Sequence, residues 1–184
     1  IGPKIAGAGQ ADLHQLLTAA SLCNNSRLTS VTNGKTAWSY LGDQTEAAMR
    51  VAAIKGGLDE KLIADAFPRL HELPFDARRK RMSTIHRPVV QSGGIDAPEN
   101  SRYPTGYSTT HDRPEIAFVK GAPREIIDLC SHIRMADGVV ALTPALRQEI
   151  YAVNDEYAVQ ALRVLALACR ELPPRSGAYR VEQV

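Results

Sequence analysis

The sequence predicts an α+β domain: a mainly antiparallel, twisted sheet flanked by helices. Three observations lead there. Two turn dipeptides, Asn33-Gly34 and Asp137-Gly138, each lie between short β-prone stretches, the signature of a hairpin. Segments with apolar residues at helical spacing fall between groups of strands. Leu162 to Ala168 is a nearly continuous apolar run, which suits a strand buried on both faces. At 184 residues the chain reads as a single domain, 1–184, carrying one long loop.

The elements follow in order. Asp12 to Cys23 places Leu13, Leu16, Leu17, Ala20 and Cys23 on one helical stripe. Arg27 to Val31 and Lys35 to Tyr40 form the arms of the first hairpin. Gly42-Asp43 breaks the second arm, and Gln44 to Lys55 reads as helix up to Gly56-Gly57. Another helix, Asp59 to Ala66, stops ahead of Pro68. His71 to Phe75, Lys80 to His86 and Glu115 to Lys120 read as strands. Between the last two, residues 87–113 are rich in Pro, Gly, Ser and Thr and too polar to bury, so a long mobile hairpin loop is expected. Pro123 opens a helix through Leu129, where its missing N–H costs nothing. His132 to Met135 and Val139 to Leu142 flank the second turn dipeptide. Thr143-Pro144 supplies a cap and a first-turn proline for a helix to about Gln160.

Composition narrows the function. The chain is 44% hydrophobic and 23% charged, ordinary for a globular protein that builds its own core. A formal charge of +2 is too small to imply a nucleic-acid partner, and the cluster Arg78-Arg79-Lys80-Arg81 is too short for a basic arm. Cys23, Cys130 and Cys169 have no paired spacing, so neither a disulfide framework nor a zinc site is expected; each reads as a small buried hydrophobe in a reducing compartment. No run reaches the ~18 apolar residues of a membrane helix, and no signal peptide is visible at the N-terminus. Scattered acids such as Asp59-Glu60 and Asp155-Glu156 read as solvated helix faces, not as a metal site.

Four segments carry chemistry. In Phe118-Val119-Lys120-Gly121-Ala122-Pro123 a strand delivers a lysine, then a glycine and an alanine, then a helix start. Without a Cβ, Gly121 lets a flat ligand approach the backbone, and Lys120 places a cation beside it. The same tetrapeptide also suits a plain strand-to-helix turn with a surface lysine. Phe75 precedes the basic cluster by a few residues, so its ring can stack on a purine while the bases meet phosphates; equally, it can be core. Glu46 follows Gly42-Asp43-Gln44-Thr45 in a helix's first turn, where it can accept from an exocyclic amine or serve as a cap. Arg163, inside the apolar run that ends at Ala168, needs a phosphate or a carboxylate as partner.

Together with Ser21-Leu-Cys-Asn-Asn-Ser26 and the stretch from Leu162 to Pro174, these segments occur in the order found in the nucleotide-binding domain of P-type cation-transporting ATPases. The chain resembles that family from about Leu13 to Pro174, nearest to its calcium-pump-like subgroup. The resemblance implies a P-type ATPase N-domain-like fold and a ligand, ATP or ADP. It also implies roles. Phe75 stacks on adenine, Lys120 lines the adenine pocket, and Gly121 and Ala122 form its floor. Glu46 bonds the adenine amino group, Lys80 lies near the nucleotide, Arg163 reaches the phosphates, and Leu165 packs the pocket wall. Two positions depart from the pattern. Arg124 stands where many relatives are acidic, and Ala77 stands where animal calcium pumps have an arginine; Arg78 and Arg79 are the candidates to replace that contact.

The family's phosphorylated aspartate motif, D-K-T-G-T, and its T-G-D and G-D-G-x-N-D segments do not occur in this chain. Phosphoryl transfer needs a positioned nucleophile and metal-assisted charge neutralisation. No catalytic residue and no metal ligand is therefore assigned here; Mg2+ would belong to the parent pump. The resemblance implies a domain at the cytoplasmic face of a membrane, with the phosphorylation and actuator domains of that pump as partners. The alternatives are a regulatory nucleotide sensor and an interaction module that has kept the fold and lost the ligand.

Overall fold

The computed structural model describes residues 8–32, 36–89, 114–135, 138–173, 177 and 179–180. Its elements are α1 (Ala8–Leu22), β1 (Arg27–Thr32), β2 (Thr36–Leu41), α2 (Gln44–Lys55), α3 (Glu60–Ala66), β3 (Arg69–Asp76), β4 (Arg81–His86), β5 (Glu115–Gly121), α4 (Pro123–Leu129), β6 (His132–Met135), β7 (Gly138–Ala141), α5 (Pro144–Val159) and β8 (Ala166–Leu172). The α+β class holds, and among the described residues every strand pair is antiparallel and the strands divide among three sheets. β1-β2 and β6-β7 are two-stranded ribbons, and the central sheet runs β3-β4-β5-β8. The first turn dipeptide and residues 90–113 of the expected loop lie outside the described residues.

Local chemistry accounts for the helix starts. Asp43 caps α2 by accepting from the N–H groups of Thr45 and Glu46, and Asp59 caps α3 through Lys61 and Leu62. Thr143 Oγ1 accepts from Leu146 N–H at the head of α5, with Pro144 at the first position. α1 begins four residues earlier than expected; of the expected stripe, Ala20 and Cys23, just past the helix end, are buried together with Ala19 and Leu22, while Leu16 is exposed.

β4 and β5, the two inner strands, are buried on both faces and organise the core. On one face Met82, Ile116 and Phe118 pack against Ala19 and Leu22 of α1, Cys23 just after it and Phe67 after α3. On the other, Ile85, Ala117 and Leu172 pack against Tyr179. Phe118 meets Phe67 edge-on at 6.3 Å and the His86 ring at 5.6 Å. Below the second face Glu115, 1% exposed, accepts from Arg87 and from the Tyr179 hydroxyl.

Two expectations are corrected. The last strand spans Ala166–Leu172 rather than Leu162–Ala168, and as an edge strand it is at most half-buried over most of its length. Arg163 consequently lies before the strand, exposed, and no buried charge has to be paired there. The apolar run misled because it straddles a connection and a strand start. Among the cysteines, Cys23 is buried as expected, but Cys130 is half-buried and Cys169 is exposed on β8.

His86 introduces a pH dependence. Its Nδ1 lies 2.8 Å from the Phe67 carbonyl, which can only accept, so Nδ1 carries the proton and the buried ring is neutral. Burial pushes its pKa down to about 4. A histidine depressed in this way is charged in the unfolded chain before the folded one, so its contribution is complete above about pH 6.5 and is lost as pH falls towards 4. Urea denaturation at about pH 5 is expected to give about 2 kcal/mol less stability than at about pH 7 from this group. A His86→Gln variant is expected to flatten that slope.

Candidate functional site

One end of the central sheet gathers the residues singled out above. β5 ends at Gly121, β4 starts at Arg81, β3 ends at Asp76 and β8 starts at Ala166. Gly121 stands opposite Arg81 and Ala166, and Lys120 opposite Met82 and Leu167. Phe75 lies in the irregular step between Leu73, which stands opposite Ser83, and Asp76, which stands opposite Arg81. Two strand spacings, about 10 Å, therefore separate the backbones of Phe75 and Lys120. Phe75 is 63% exposed although it is a large aromatic. Packing does not account for it.

Lys120 is the opposite case, an ammonium only 8% exposed. It donates to Glu46 Oε1 in an ion pair whose side chains are 10% and 13% exposed. The other carboxylate oxygen, Glu46 Oε2, accepts from Asn25 N–H at 2.9 Å. A partly buried charge pair keeps its geometry when the remaining lone pairs are engaged in this way. Glu46 is carried into position by the Asp43 cap. The N–H of Glu46, then that of Thr45, hold the Asp43 carboxyl below the usual carboxylate range, and the charge of Arg163 adds to this. Arg163 thus stands close to the head of α2.

The segment after α1 locks the assembly. Asn24, 3% exposed, donates to the carbonyls of Ala20 (3.2 Å) and Glu46 (2.8 Å), and its oxygen accepts from Ser26 N–H and Oγ. Gly42 has φ +100, a conformation that favours glycine, and a Cβ there would sit tightly, 3.2 Å from Ser26 Cα. Arg69 had drawn no attention in the sequence. Its guanidinium donates to the carbonyls of Leu22 (2.6 Å) and Asn24 (2.8 Å) and to Asn25 Oδ1 (2.6 Å), and it pairs with Glu72. An arginine closing the last turn of a helix is recognisable in space, and nothing local in the sequence marks it.

The turn from β3 to β4 is built on Asp76. Its side chain accepts from the N–H groups of Arg78 and Arg79, and its carbonyl from Lys80 N–H. Arg79 folds back onto the Pro74 carbonyl at 3.2 Å. Lys80 takes φ 49, a left-handed conformation unusual outside glycine, and its ammonium pairs with Glu125 at 2.6 Å. Its carbonyl accepts from Ala122 N–H at 3.1 Å. Gly121 is tightly covered: an added Cβ would lie 2.8 Å from Arg81 Cβ and closer still to the Lys80 carbonyl. The absence of a side chain at Gly121 is therefore explained by the approach of β4. Leu165 is half-buried just ahead of β8.

Glu46 and Lys120 thus form one unit, with Phe75 two strands away and Arg163, Leu165, Gly121 and Ala122 at the same end of the sheet. Lys80 is also there, tied to α4. Arg78 is exposed and Arg79 is turned towards β3. The arrangement offers an exposed aromatic face, a carboxylate, an ammonium and peripheral guanidinium groups, the set that suits an aromatic base bearing an anionic tail. Among the described residues no group of His, Cys, Asp and Glu could hold a metal ion, and no helix is long and apolar enough to cross a membrane.

Comparison with known proteins gives a concordant result. A family model described as P-type ATPase, cytoplasmic domain N, matches residues 12–184. Calcium-transporting ATPase 1 of Lactococcus lactis is 32% identical over 159 residues, covering 86% of this chain and 15% of that protein. A calcium-transporting ATPase of Listeria monocytogenes is 29% identical over 168 residues, 91% of this chain and 16% of its own length. The calcium-transporting ATPase of Bacillus subtilis is 30% identical over 162 residues, 87% of this chain and 15% of its own. The chain spans roughly a seventh of these relatives.

Proposed function

The chain belongs to the family of P-type ATPase cytoplasmic N domains, and from that premise we propose that it is the ATP-holding domain of a cation pump. It grips adenine so that the γ-phosphate reaches an aspartate on a separate phosphorylation domain, with Mg2+ supplied at that second site. Calcium is the favoured ion because relatives in Lactococcus, Listeria and Bacillus are named calcium-transporting ATPases. The observation that carries the reading is the exposed ring of Phe75 at the same level of the sheet as the Lys120–Glu46 pair.

In this reading the base stacks on Phe75, and its amino group donates to the Glu46 carboxylate that Lys120 and Asn25 hold in place. Arg163 and the Arg78–Arg79 turn face the phosphates. Gly121 and Ala122 act indirectly, by fixing the β4–β5 junction on which the pocket stands. One stacked base with few polar contacts gives weak binding, about 0.1–1 mM, once association costs are counted. Because the base supplies most of the grip, ADP binds nearly as well as ATP and Mg2+ changes little. As a domain acting with others, the chain has as partners the phosphorylation and actuator domains of the pump.

An ATP titration followed by backbone amide shifts tests this. Phe75→Ala is expected to weaken binding by about 5- to 150-fold, the worth of about 1–3 kcal/mol of stacking. Its thermal midpoint should barely change, because the ring is mostly exposed. Unaltered ATP affinity in Phe75→Ala would sink the proposal, as would shifts that avoid Glu46 and Lys120. A sensor would also lose binding on this substitution and would be told apart by its inability to restore phosphorylation in a pump lacking this domain; a ligand-dead fold would have no binding to lose.

A further inference from the structure

On the α1 face of the central sheet lies a cavity of about 150 Å3 between α1, α2, α3 and the His86 end of β4, and Asn24 and Arg69 form part of its wall. Arg50, Glu60, Arg69, His86 and Ser21 line it against a wall that includes Phe67. None of Glu46, Phe75, Lys80, Lys120 or Arg163 lines it. Two of its buried polar atoms, His86 Nε2 and Arg50 Nε, have no partner among the described residues. His86 is 1% exposed. Buried polar groups are nearly always hydrogen-bonded, so each such atom calls for an occupant.

The chemistry of the two atoms defines that occupant. The Phe67 carbonyl takes the proton on His86 Nδ1, which leaves Nε2 as an acceptor in search of a donor. Arg50 Nε is a donor in search of an acceptor; the same guanidinium pairs with Glu60 through Nη1 at 2.7 Å. Arg69 is a second guanidinium at the wall, with both of its Nη groups already engaged by Glu72, Asn25 and the carbonyls of Leu22 and Asn24. A cavity of this volume holds about six heavy atoms. A small oxyanion that also carries a hydroxyl meets both demands, offering a donor to His86 Nε2 and a charged acceptor to Arg50 Nε.

We propose that this cavity is a second binding site, separate from the nucleotide cleft, for a small protonated oxyanion of the hydrogen phosphate class. Its hydroxyl donates to His86 Nε2, and one of its oxygens accepts from Arg50 Nε. Sulfate, alike in size and charge but without a proton, would need His86 protonated on both nitrogens. Burial holds the pKa at about 4, so near neutral pH that form is about a thousandfold depleted.

The test is a titration of the 15N-histidine-labelled chain with inorganic phosphate to about 20 mM at constant ionic strength near neutral pH, with sulfate as the control. Phosphate is expected to shift the His86 ring nitrogens and the Ser21 and Phe67 amides saturably, and sulfate to act at least about tenfold more weakly. Saturating ATP should leave the phosphate response intact. Arg50→Gln should weaken it about tenfold or more, and it carries the test if His86→Asn does not fold. The proposal is overturned by no saturable shift, by an equal response to sulfate, or by shifts centred on Phe75 and Lys120 that ATP abolishes. The last result would leave the nucleotide proposal standing.

Discussion

Lys120→Met is expected to cost about 3–5 kcal/mol of stability and to remove measurable ATP binding. The ammonium and the Glu46 carboxylate are both nearly buried, and taking one away leaves an uncompensated charge in a low-dielectric site. Asn25 N–H still reaches Glu46 Oε2, but a single neutral donor does not replace an ammonium. The double variant Lys120→Met, Glu46→Gln separates the two effects. Glutamine keeps an acceptor for Asn25 and carries no charge, so most of the lost stability should return while ATP affinity stays low. Thermal denaturation alongside an ATP titration reads both quantities. Recovery of binding together with stability would show that the pair serves packing alone.

Gly121→Ala is expected to destabilise the domain by about 3 kcal/mol, at the upper end of the usual cost of overpacking. The new methyl group would press on the carbonyl of Lys80 and on Arg81 Cα at 2.9 Å, all of it backbone that cannot rotate away. The junction must then open. That would release the Ala122 N–H bond to Lys80 and shift the turn that carries Phe75 and the basic cluster. Urea denaturation should show the loss directly. ATP affinity should fall as well, although residue 121 need not touch the ligand. Wild-type stability in Gly121→Ala would mean that β4 and β5 are not packed as tightly as described.

The elements whose signals are local were legible in advance. The caps Asp43, Asp59 and Thr143 act on N–H groups two or three residues away, so α2, α3 and α5 were bounded closely from sequence. The strands flanking each turn dipeptide pair as expected. The ordered segments gave the family. Where the reading slipped, competing signals were not local. The run from Leu162 to Ala168 is apolar whether it lies in a connection or a strand, and only its pairing with β5 places the strand start at Ala166. Cys169 has apolar neighbours in sequence, yet the edge position of β8 leaves it exposed.

The candidate site divides in the same way. Residue types at motif spacing pointed to Glu46, Phe75 and Lys120 as chemistry. That Glu46 and Lys120, 74 positions apart, neutralise each other was decided by the packing of α2 against α1 and by the bonds of Asn24 and Asn25 to Glu46. The close approach of β4 to Gly121, where an added side chain would meet Lys80 and Arg81, was decided in space as well. Arg69 closes a helix 47 positions upstream, and His86 keeps one nitrogen free beside a cavity. Turns, caps and periodicity depend on neighbours within about four residues and survive translation into a string of letters. Burial, charge pairing and close backbone approach depend on which distant segments meet, and the folded chain alone determines that.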